Sequence, residues 1–452
     1  MAIRVIILAA GKGTRMKSSL PKVLHCLAGK PLLSHVIDTV AELQPESINV
    51  VIGHGREQVM DAVSNPKVSW AVQQEQLGTG HAVKQGLLDI AEDDTVLVTY
   101  GDVPLTRVST YQALLNVCDS STIGLLTLLM DDPTGYGRIL REAGCIVGVV
   151  EQKDATSDQL AISEVNAGVV AIKGGHLRSL LGRIDNNNAQ GEYYLTDIHA
   201  LAVRDGLAVE AVHPTDPWEV DGVNSRSQLA ALERLLQAHL AEQLMSTGVT
   251  LADPARFDVR GTLKAGTDVT IDVNCVFEGE CKLGNNVSIG PNCLISGSSI
   301  ADNTQILANC VLQDAVVGEQ SVIGPFARLR PGTITAPNVR IGNFVETKNS
   351  HVGKASKVNH LSYVGDSTVG ANVNIGAGTI TCNYDGANKH QTVIEEDVFI
   401  GSNTALVAPV TVEKGATVGA GSTICRDVQA DSLALTRAEQ KKIPNWVRPV
   451  KK

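Results

Sequence analysis

The stretch Val269-Thr-Ile-Asp-Val-Asn-Cys275-Val-Phe-Glu-Gly-Glu-Cys281-Lys-Leu-Gly-Asn-Asn-Val287-Ser-Ile-Gly-Pro-Asn-Cys293-Leu-Ile295 decides the fold of the C-terminal half. Val269, Cys275, Cys281, Val287 and Cys293 lie six apart. Two residues after each stands a second apolar residue: Ile271, Phe277, Leu283, Ile289 and Ile295. A period of six is the signature of a β-helix. Each short strand turns a corner every six residues, and three hexads close one triangular coil. The first hexad position points into a narrow prism and must be small or aliphatic. Glycines such as Gly284 and Gly290 are expected to supply the turn dihedrals. Cys275, Cys281 and Cys293 are then small apolar fillers, not ligands or disulfide partners.

The same phrase returns in Ser321-Val-Ile-Gly324, Val339-Arg-Ile-Gly342, Ser350-His-Val-Gly353, Val373-Asn-Ile-Gly376 and Ala416-Thr-Val-Gly419. The span from Leu263 to Ile424 holds about nine 18-residue coils. The period breaks at Pro331–Asn338 and again at Thr381–Thr392. Breaks in a solenoid are expected to be extruded loops, where sites are usually built. Past Leu433 the period stops and leaves a Lys-rich tail.

Upstream the pattern differs. Leu229, Leu232, Leu236, Leu240 and Leu244 recur at spacings of three and four, which predicts one amphipathic helix. Ser225 with Gln228 fits a capping box, and Gly248 is a plausible stop. Before it, the apolar runs Val5–Ala10, Ile48–Ile52, Val68–Val72, Val96–Thr99, Ile123–Leu129 and Val165–Ile172 alternate with helical patterns. That alternation predicts an α/β domain with a mostly parallel sheet. The boundaries read as an α/β domain over 1–226, a helical linker over 227–247, and a β-helix domain with its tail over 248–452.

Composition narrows the function. The 452 residues carry a net charge of −10, with 19% charged and 3% aromatic residues and 42 glycines. A broad nucleic-acid surface needs a basic excess and is not expected. No apolar run approaches the ~18 residues that span a membrane. The apolar start Val5–Ala10 stops at Gly11-Lys12, too early for a signal sequence. Nine cysteines without a Cys-x-x-Cys pair argue against a disulfide framework and a zinc ribbon. The expected compartment is the cytoplasm.

The strand Val5–Leu8 runs into Ala9-Ala10-Gly11-Lys12-Gly13-Thr14-Arg15-Met16. A glycine-rich turn after a strand offers bare N–H groups to phosphate, and Lys12, Arg15 and Lys22 add cations. A P-loop would close on Gly-Lys-Ser/Thr, but this loop has Gly-Lys-Gly. The dinucleotide fingerprint would place glycine where Met16 stands. A phosphate loop of another type is expected. Val96-Leu-Val-Thr-Tyr100-Gly101-Asp102 ends a buried strand in an acid, at the end where α/β sheets bind ligands, and Asp102 suits Mg²⁺ beside phosphates. Gln73-Gln-Glu-Gln-Leu-Gly78-Thr79-Gly80 suits reading a base by amide and backbone hydrogen bonds. Each segment alone also fits an ordinary turn or loop; together they reinforce one another.

Leu-Ala-Ala-Gly-Lys-Gly-Thr-Arg-Met with Pro21-Lys22 resembles the signature of sugar-nucleotide pyrophosphorylases. Joined to a hexapeptide-repeat domain, the whole chain resembles the bifunctional N-acetylglucosamine-1-phosphate uridyltransferase/glucosamine-1-phosphate acetyltransferase family. The resemblance implies a Rossmann-like nucleotidyltransferase domain followed by a left-handed parallel β-helix that trimerises. It implies acetyl transfer from acetyl-CoA, then uridylyl transfer from UTP. The product, UDP-N-acetylglucosamine, is a precursor for peptidoglycan and lipopolysaccharide. By the resemblance, Leu8, Ala9, Ala10 and Gly11 line the nucleotide pocket, and Arg15 and Lys22 hold phosphates and the developing charge. Gln73, Gly78 and Thr79 read uracil. Tyr100, Gly101, Gly137, Glu151 and Asn166 surround the N-acetylglucosamine moiety, and Asp102 and Asn224 bind Mg²⁺.

Acetyl transfer to an amine needs a base, an oxyanion donor and a cationic cradle for the sugar phosphate. His360, in Asn359-His360-Leu361-Ser362-Tyr363, is the candidate base, because an unperturbed imidazole can take a proton at neutral pH. It lies within one coil of Lys348, so the two can share a cleft. His351 is read as solvated. The resemblance matches His360 to the proton acceptor and lets Glu346 orient it. It matches Arg330, Lys348, Tyr363 and Asn374 to the glucosamine-1-phosphate site. Ala377, Asn383, Tyr384, Ser402, Ala420 and Arg437 match the acetyl-CoA and neighbouring contacts. Arg437 lies beyond the last hexad, as a tail reaching a neighbouring chain would.

Two other readings stand beside this one. The chain could be a single-function pyrophosphorylase with a structural β-helix; Asn359–Tyr363 and the Arg330/Lys348 pair speak against that. It could be a non-catalytic binding protein like the exchange-factor subunits of translation initiation. Intact Gly11–Arg15, Lys22 and Asp102 speak against a degenerate pocket.

Overall fold

The computed structural model describes residues 2–63 and 65–451. It divides into two compact units, Met1–Leu235 and Leu236–Lys452. The division falls inside the helix Arg226–Ser246, which occupies the expected linker.

In the first unit, the strand Ile3–Ala9 lies parallel between Ser47–Ile52 and Thr95–Tyr100. Val68–Val72 extends the sheet beside Ser47–Ile52. On the other side Glu164–Lys173 runs antiparallel between Thr95–Tyr100 and Thr122–Leu129. Ala208–Val212 closes that side in parallel with Thr122–Leu129. Both faces are covered, which explains the near-continuous apolar runs. Val5, Ile7 and Ala9 pack into one core, Ile6, Leu8 and Ala10 into the other. Val5, Ile6 and Ile7 are fully buried, each contributing about 1.5–3 kcal/mol. Strands of this register end together, so Ala10-Gly11, Gln73 and Gly101-Asp102 leave the sheet at one edge. The pairing of Glu164–Lys173 with Thr122–Leu129 is irregular between Asn166 and Val170. That bulge releases Ala167-Gly168-Val169 from the ladder, just after Asn166, which still pairs with Thr127.

The helix begins as the sequence suggests only in part. Ser225 Oγ accepts from Gln228 N at 3.2 Å. The Gln228 side-chain oxygen, however, accepts from Asn224 N at 2.9 Å instead of from Ser225 N. The reciprocal capping box is therefore not closed, and the glutamine braces Asn224.

The second unit is a stack of parallel coils. Phe257 pairs with Cys275, and Ser288 with Gln305, each one coil further along the chain. Val269, Cys275, Cys281, Val287 and Cys293 are buried, as are Ile271, Phe277, Leu283, Ile289 and Ile295. Both apolar positions of each hexad face the prism axis. Cys275, Cys281, Cys293 and Cys310 are buried free thiols. The open edge of the first coil is covered by Gln237. Its Nε2 donates to Val259 O and its Oε1 accepts from Val259 N, both at 2.7 Å. This side chain imitates the missing strand and satisfies backbone groups that would otherwise be bare.

Two expectations about the coils are corrected. The left-handed turn residues are chiefly Asn and Asp, including Asn274, Asn286, Asn292, Asn303 and Asn309, whereas Gly284, Gly290 and Gly342 keep ordinary φ. Those glycines answer a different demand. A Cβ on Gly342 would lie 1.9 Å from Asn359 O in the next coil, so the coils stack only where the side chain is missing. Second, Pro331–Asn338 is not an extruded loop. Ile334–Thr335 is a ladder strand whose Ile334 pairs with Val316 and His351. The inward positions there hold Thr333 and Thr335, both buried. At the second break an insertion does leave the ladder: Ser367 pairs with Thr392, well over one coil's length further on.

Candidate active sites

Three strand ends build the site of the first unit. A cavity of about 220 Å³ is lined by Leu8, Ala9, Ala10, Gly11, Lys22, Val23, Gln73, Gln76, Gly78, Thr79, Ala82, Tyr100, Asp102 and Glu192. Ten of these were expected from the sequence. Gly101 N donates to Leu8 O at 2.9 Å and ties two strand ends together. Gln73 is buried, and its Nε2 donates to Gly78 O at 3.1 Å. Gly78 has φ 108°, and a Cβ there would meet Tyr193 O at 2.5 Å. Only glycine fits, and it brings bare backbone to the cavity wall. Thr79 Oγ1 accepts from Leu195 N at 3.0 Å.

Gly13, with φ 58°, closes over the stem of Lys22; a Cβ would lie 2.7 Å from Lys22 Cβ. The Lys22 ammonium is held against the Asp102 carboxylate and lies 3.0 Å from Asn224 Oδ1. Two oxygens that come from segments far apart in sequence thus converge on one cationic atom. That donor set suits a hard divalent cation whose remaining ligands are phosphate oxygens and water. Among the described residues no group of three or more His, Cys, Asp and Glu could hold a metal ion. The protein offers two oxygens there, and a bound cation must take the rest from substrate and solvent. Arg15 lies exposed on the turn Thr14–Met16, outside the cavity wall.

Gly137, Glu151 and Asn166 gather beside Tyr100. Asn166 N donates to Gly137 O at 2.9 Å, and Glu151 Oε1 accepts from Thr196 Oγ1 at 3.0 Å. Burial raises the Glu151 carboxyl above its usual range. Burial, with the charges of Glu151 and Asp102, likewise raises the Tyr100 phenol. A Cβ on Gly168 would lie 2.6 Å from the Tyr100 ring, so the released bulge presses its glycine on that ring. Sequence reasoning missed Val23, Gln76, Ala82 and Glu192. Glu192 reaches the cavity because Tyr193 N donates to Leu77 O and Gly80 N to Tyr193 O, each at 2.8 Å. No local pattern encodes that contact.

In the second unit, Asn343 and His360 are partners in adjacent coils. The His360 ring nitrogen Nδ1 lies 2.8 Å from Asn343 Oδ1, beside a cavity of about 420 Å³ that both residues line. The expected partner Glu346 is engaged elsewhere: its Oε1 accepts from Arg330 Nη1 at 2.8 Å. Glu346 also pairs along the ladder with Tyr363. Lys389, from the inserted loop, lies beside Lys348, and its charge depresses the Lys348 ammonium below the usual lysine range. Two ammonium groups side by side make an anion-seeking pair, and Lys389 was missed from sequence.

The inserted loop is held from within. Asp385 accepts from Ala387 N and Asn388 N at 2.8 and 2.6 Å and meets His390 Nε2 at 2.7 Å. Tyr384 Oη donates to Gly386 O at 2.6 Å, and Asn383 Nδ2 donates to Asp366. Ala377 O accepts from Asn403 N, and Ser402 O from Gly421 N. Ala377, Ser402 and Ala420 therefore stack at one corner in successive coils. Asn374 pairs with Lys357 and Phe399 on the neighbouring face. Arg437 lies beside its own chain's Gly419, with Nη2 3.5 Å from where a Cβ would stand. His351 is exposed.

Residues 5–138 match the MobA-like NTP transferase domain family, and residues 259–342 the GMPPB C-terminal domain family. Residues 391–426 match the bacterial transferase hexapeptide family. A relative from Marinobacter nauticus is 58% identical over 450 residues, covering 99% of each chain. One from Janthinobacterium sp. is 55% identical over 449 residues, again covering 99% of each. A third, from Cupriavidus pinatubonensis, is 56% identical over 451 residues, covering all of this chain and 99% of its own. Each bears the description bifunctional protein GlmU. This chain belongs to the GlmU family. As a GlmU-family protein it is a bifunctional enzyme, with a Rossmann-like nucleotidyltransferase domain and a parallel β-helix transferase domain of hexapeptide repeats. No described helix is long and apolar enough to cross a membrane.

Proposed function

We propose that this chain makes UDP-N-acetylglucosamine in two steps on two separate sites, the acetyl transfer on the β-helix and the uridylyl transfer on the α/β unit. The observation that carries the second step is the convergence of Asp102 and Asn224 on the Lys22 ammonium at the cavity wall. A phosphate oxygen of N-acetylglucosamine 1-phosphate attacks the α-phosphorus of UTP, and pyrophosphate leaves. Two anions must meet, so positioning and charge neutralisation do most of the work. Gln73, Gly78 and Thr79 read uracil, Lys22 neutralises phosphate, and Tyr100, Gly137, Glu151 and Asn166 enclose the sugar. Arg15 would add charge for the phosphates. Asp102 and Asn224 would hold Mg²⁺, which supplies further charge neutralisation when bound.

In the acetyl transfer, an amide oxygen only accepts, so Asn343 Oδ1 draws the ring proton to Nδ1 of His360. The lone pair is then left on Nε2. That nitrogen takes a proton from the amine as the C–N bond forms at the thioester carbonyl and coenzyme A thiolate leaves. Arg330, Lys348 and Lys389 provide positive charge for the sugar phosphate. Tyr363 and Asn374 flank it, while Ala377, Asn383, Tyr384, Ser402, Ala420 and Arg437 receive acetyl-CoA. Assembly as a homotrimer through the β-helix would complete this site. The enzyme would work in the cytoplasm and feed peptidoglycan and lipopolysaccharide synthesis.

A mass-spectrometric assay with glucosamine 1-phosphate, acetyl-CoA, UTP and Mg²⁺, omitting each in turn, tests the reading. UDP-N-acetylglucosamine is expected only from the full mixture. Product from pre-acetylated sugar phosphate alone would reduce the β-helix to a scaffold.

A further inference from the structure

Asp102 and Asn224 sit at the ends of two chain segments that could drift apart, because nothing in either segment's own sequence fixes their separation. One rung between them is short: Val223 N donates to Asp102 O at 2.9 Å. The other is Glu219, a carboxylate whose side chain is wholly buried. Thr110 Oγ1 and Arg107 N donate to its Oε2 at 2.6 and 3.3 Å. Asp216 N donates to its Oε1 at 3.1 Å. The Arg107 guanidinium approaches Oε1 at 3.5 Å, spans to Asp216 at 2.5 Å and lies 5.1 Å from the Trp218 ring centroid. Thr106 Oγ1 donates to the Glu219 backbone oxygen at 3.0 Å.

Glu219 is thus bonded both to the segment leading from Asp102 and to its own turn, shortly before Asn224 on the chain. A wholly buried carboxylate is costly to keep unless its partners are fixed, and a bond to a charged acceptor is stronger than a neutral one. We propose that Glu219 is a positioning residue for uridylyl transfer: it clamps the segments 102–110 and 216–224 together and so sets the distance between the Asp102 carboxylate and the Asn224 amide oxygen. This rests on the proposed role of those two oxygens toward a divalent cation. Mg²⁺ tolerates little departure from its preferred geometry, so loosening the clamp should act first on cation binding.

The test uses the full chain and three variants of graded severity, Glu219→Ala, Glu219→Gln and Thr110→Val. A thermal melt followed by circular dichroism reports that the α/β unit of each variant is folded, because acetyl transfer proceeds on the other unit. Mn²⁺ is titrated into protein holding UDP-N-acetylglucosamine, and the free-ion signal is followed by electron paramagnetic resonance. The Mg²⁺ concentration giving half-maximal uridylyl transfer is measured in parallel. The expected result is a rise of about tenfold in both half-saturation values for Glu219→Ala. Glu219→Gln, which keeps one acceptor, and Thr110→Val should show smaller rises, and excess Mg²⁺ should recover most of the rate. Rates lowered equally at all Mg²⁺ concentrations, with unaltered Mn²⁺ binding, would overturn the clamp. Asp102→Asn serves as the reference. If it leaves Mn²⁺ binding unchanged, the cation reading itself fails. If it weakens binding while Glu219→Ala and Thr110→Val do not, only the clamp fails.

Discussion

His360 Nδ1 lies 2.8 Å from Asn343 Oδ1, and the two residues are ladder partners in adjacent coils. The amide therefore fixes ring orientation and tautomer together. Asn343→Ala is expected to lower the acetyl-transfer kcat by about 10- to 100-fold, with little change in the KM for acetyl-CoA. Steady-state kinetics on both substrates check this; an unchanged kcat would leave the ring oriented by something else.

The two activities should separate cleanly. His360→Ala removes the proton acceptor and should cost acetyl transfer about 10²–10⁴-fold while uridylyl transfer proceeds. Asp102→Ala should do the reverse. Assaying each half-reaction with its own substrates decides the matter, and loss of both in either folded variant would contradict two sites.

Gly342 sits next to Asn343, and Asn359 next to His360. Since a Cβ on Gly342 would meet Asn359 O at 1.9 Å, Gly342→Ala must push apart the coils that carry this pair. Overpacking of this kind costs about 1–3 kcal/mol. A lowered denaturation midpoint together with weakened acetyl transfer, at unaltered uridylyl transfer, is the expected outcome.

Asp197 offers a test by pH. Burial, with the charges of Asp185, Glu151 and Asp154, pushes its carboxyl up to about 6. The unfolded chain titrates near 3.9. Between those values the native state binds more protons, so stability from this group is present at low pH and lost as pH rises toward 6. Asp197→Asn should therefore raise the unfolding temperature at pH 7 to 8, and the advantage should shrink toward pH 4. Thermal scans across that range read it directly.

What the sequence disclosed follows from how local each rule is. The hexad repeat restates one steric demand at every coil, so Val269 to Ile295 suffices to read it. Gly11, Lys22 and Asp102 were legible because they stand at strand ends. Thr333 and Thr335 broke the pattern because their hydroxyls look polar, yet Thr333 Oγ1 donates to Arg330 O at 2.8 Å and sits 3.0 Å from Thr347 Oγ1. Satisfied in this way, threonine fills an inward position as valine would. Glu192, Asn343 and Lys389 were not legible, because each reaches its site through a contact that only the folded chain creates. The partner of Glu346 was misjudged for the same reason.

The inserted loop between Cys382 and Thr392 has a consequence for how such a protein can change. The coils on either side resume their faces with one and the same enlarged spacing, at Ser367–Thr392, Asn374–Phe399 and Ile380–Ala405 alike. Within the loop, Asp385 supplies most of the internal bonds. Such a segment is a cartridge: it can be lengthened, shortened or exchanged between relatives while every rung above and below keeps its alignment. The contacts this one clip of chain supplies can then change while the prism itself is spared.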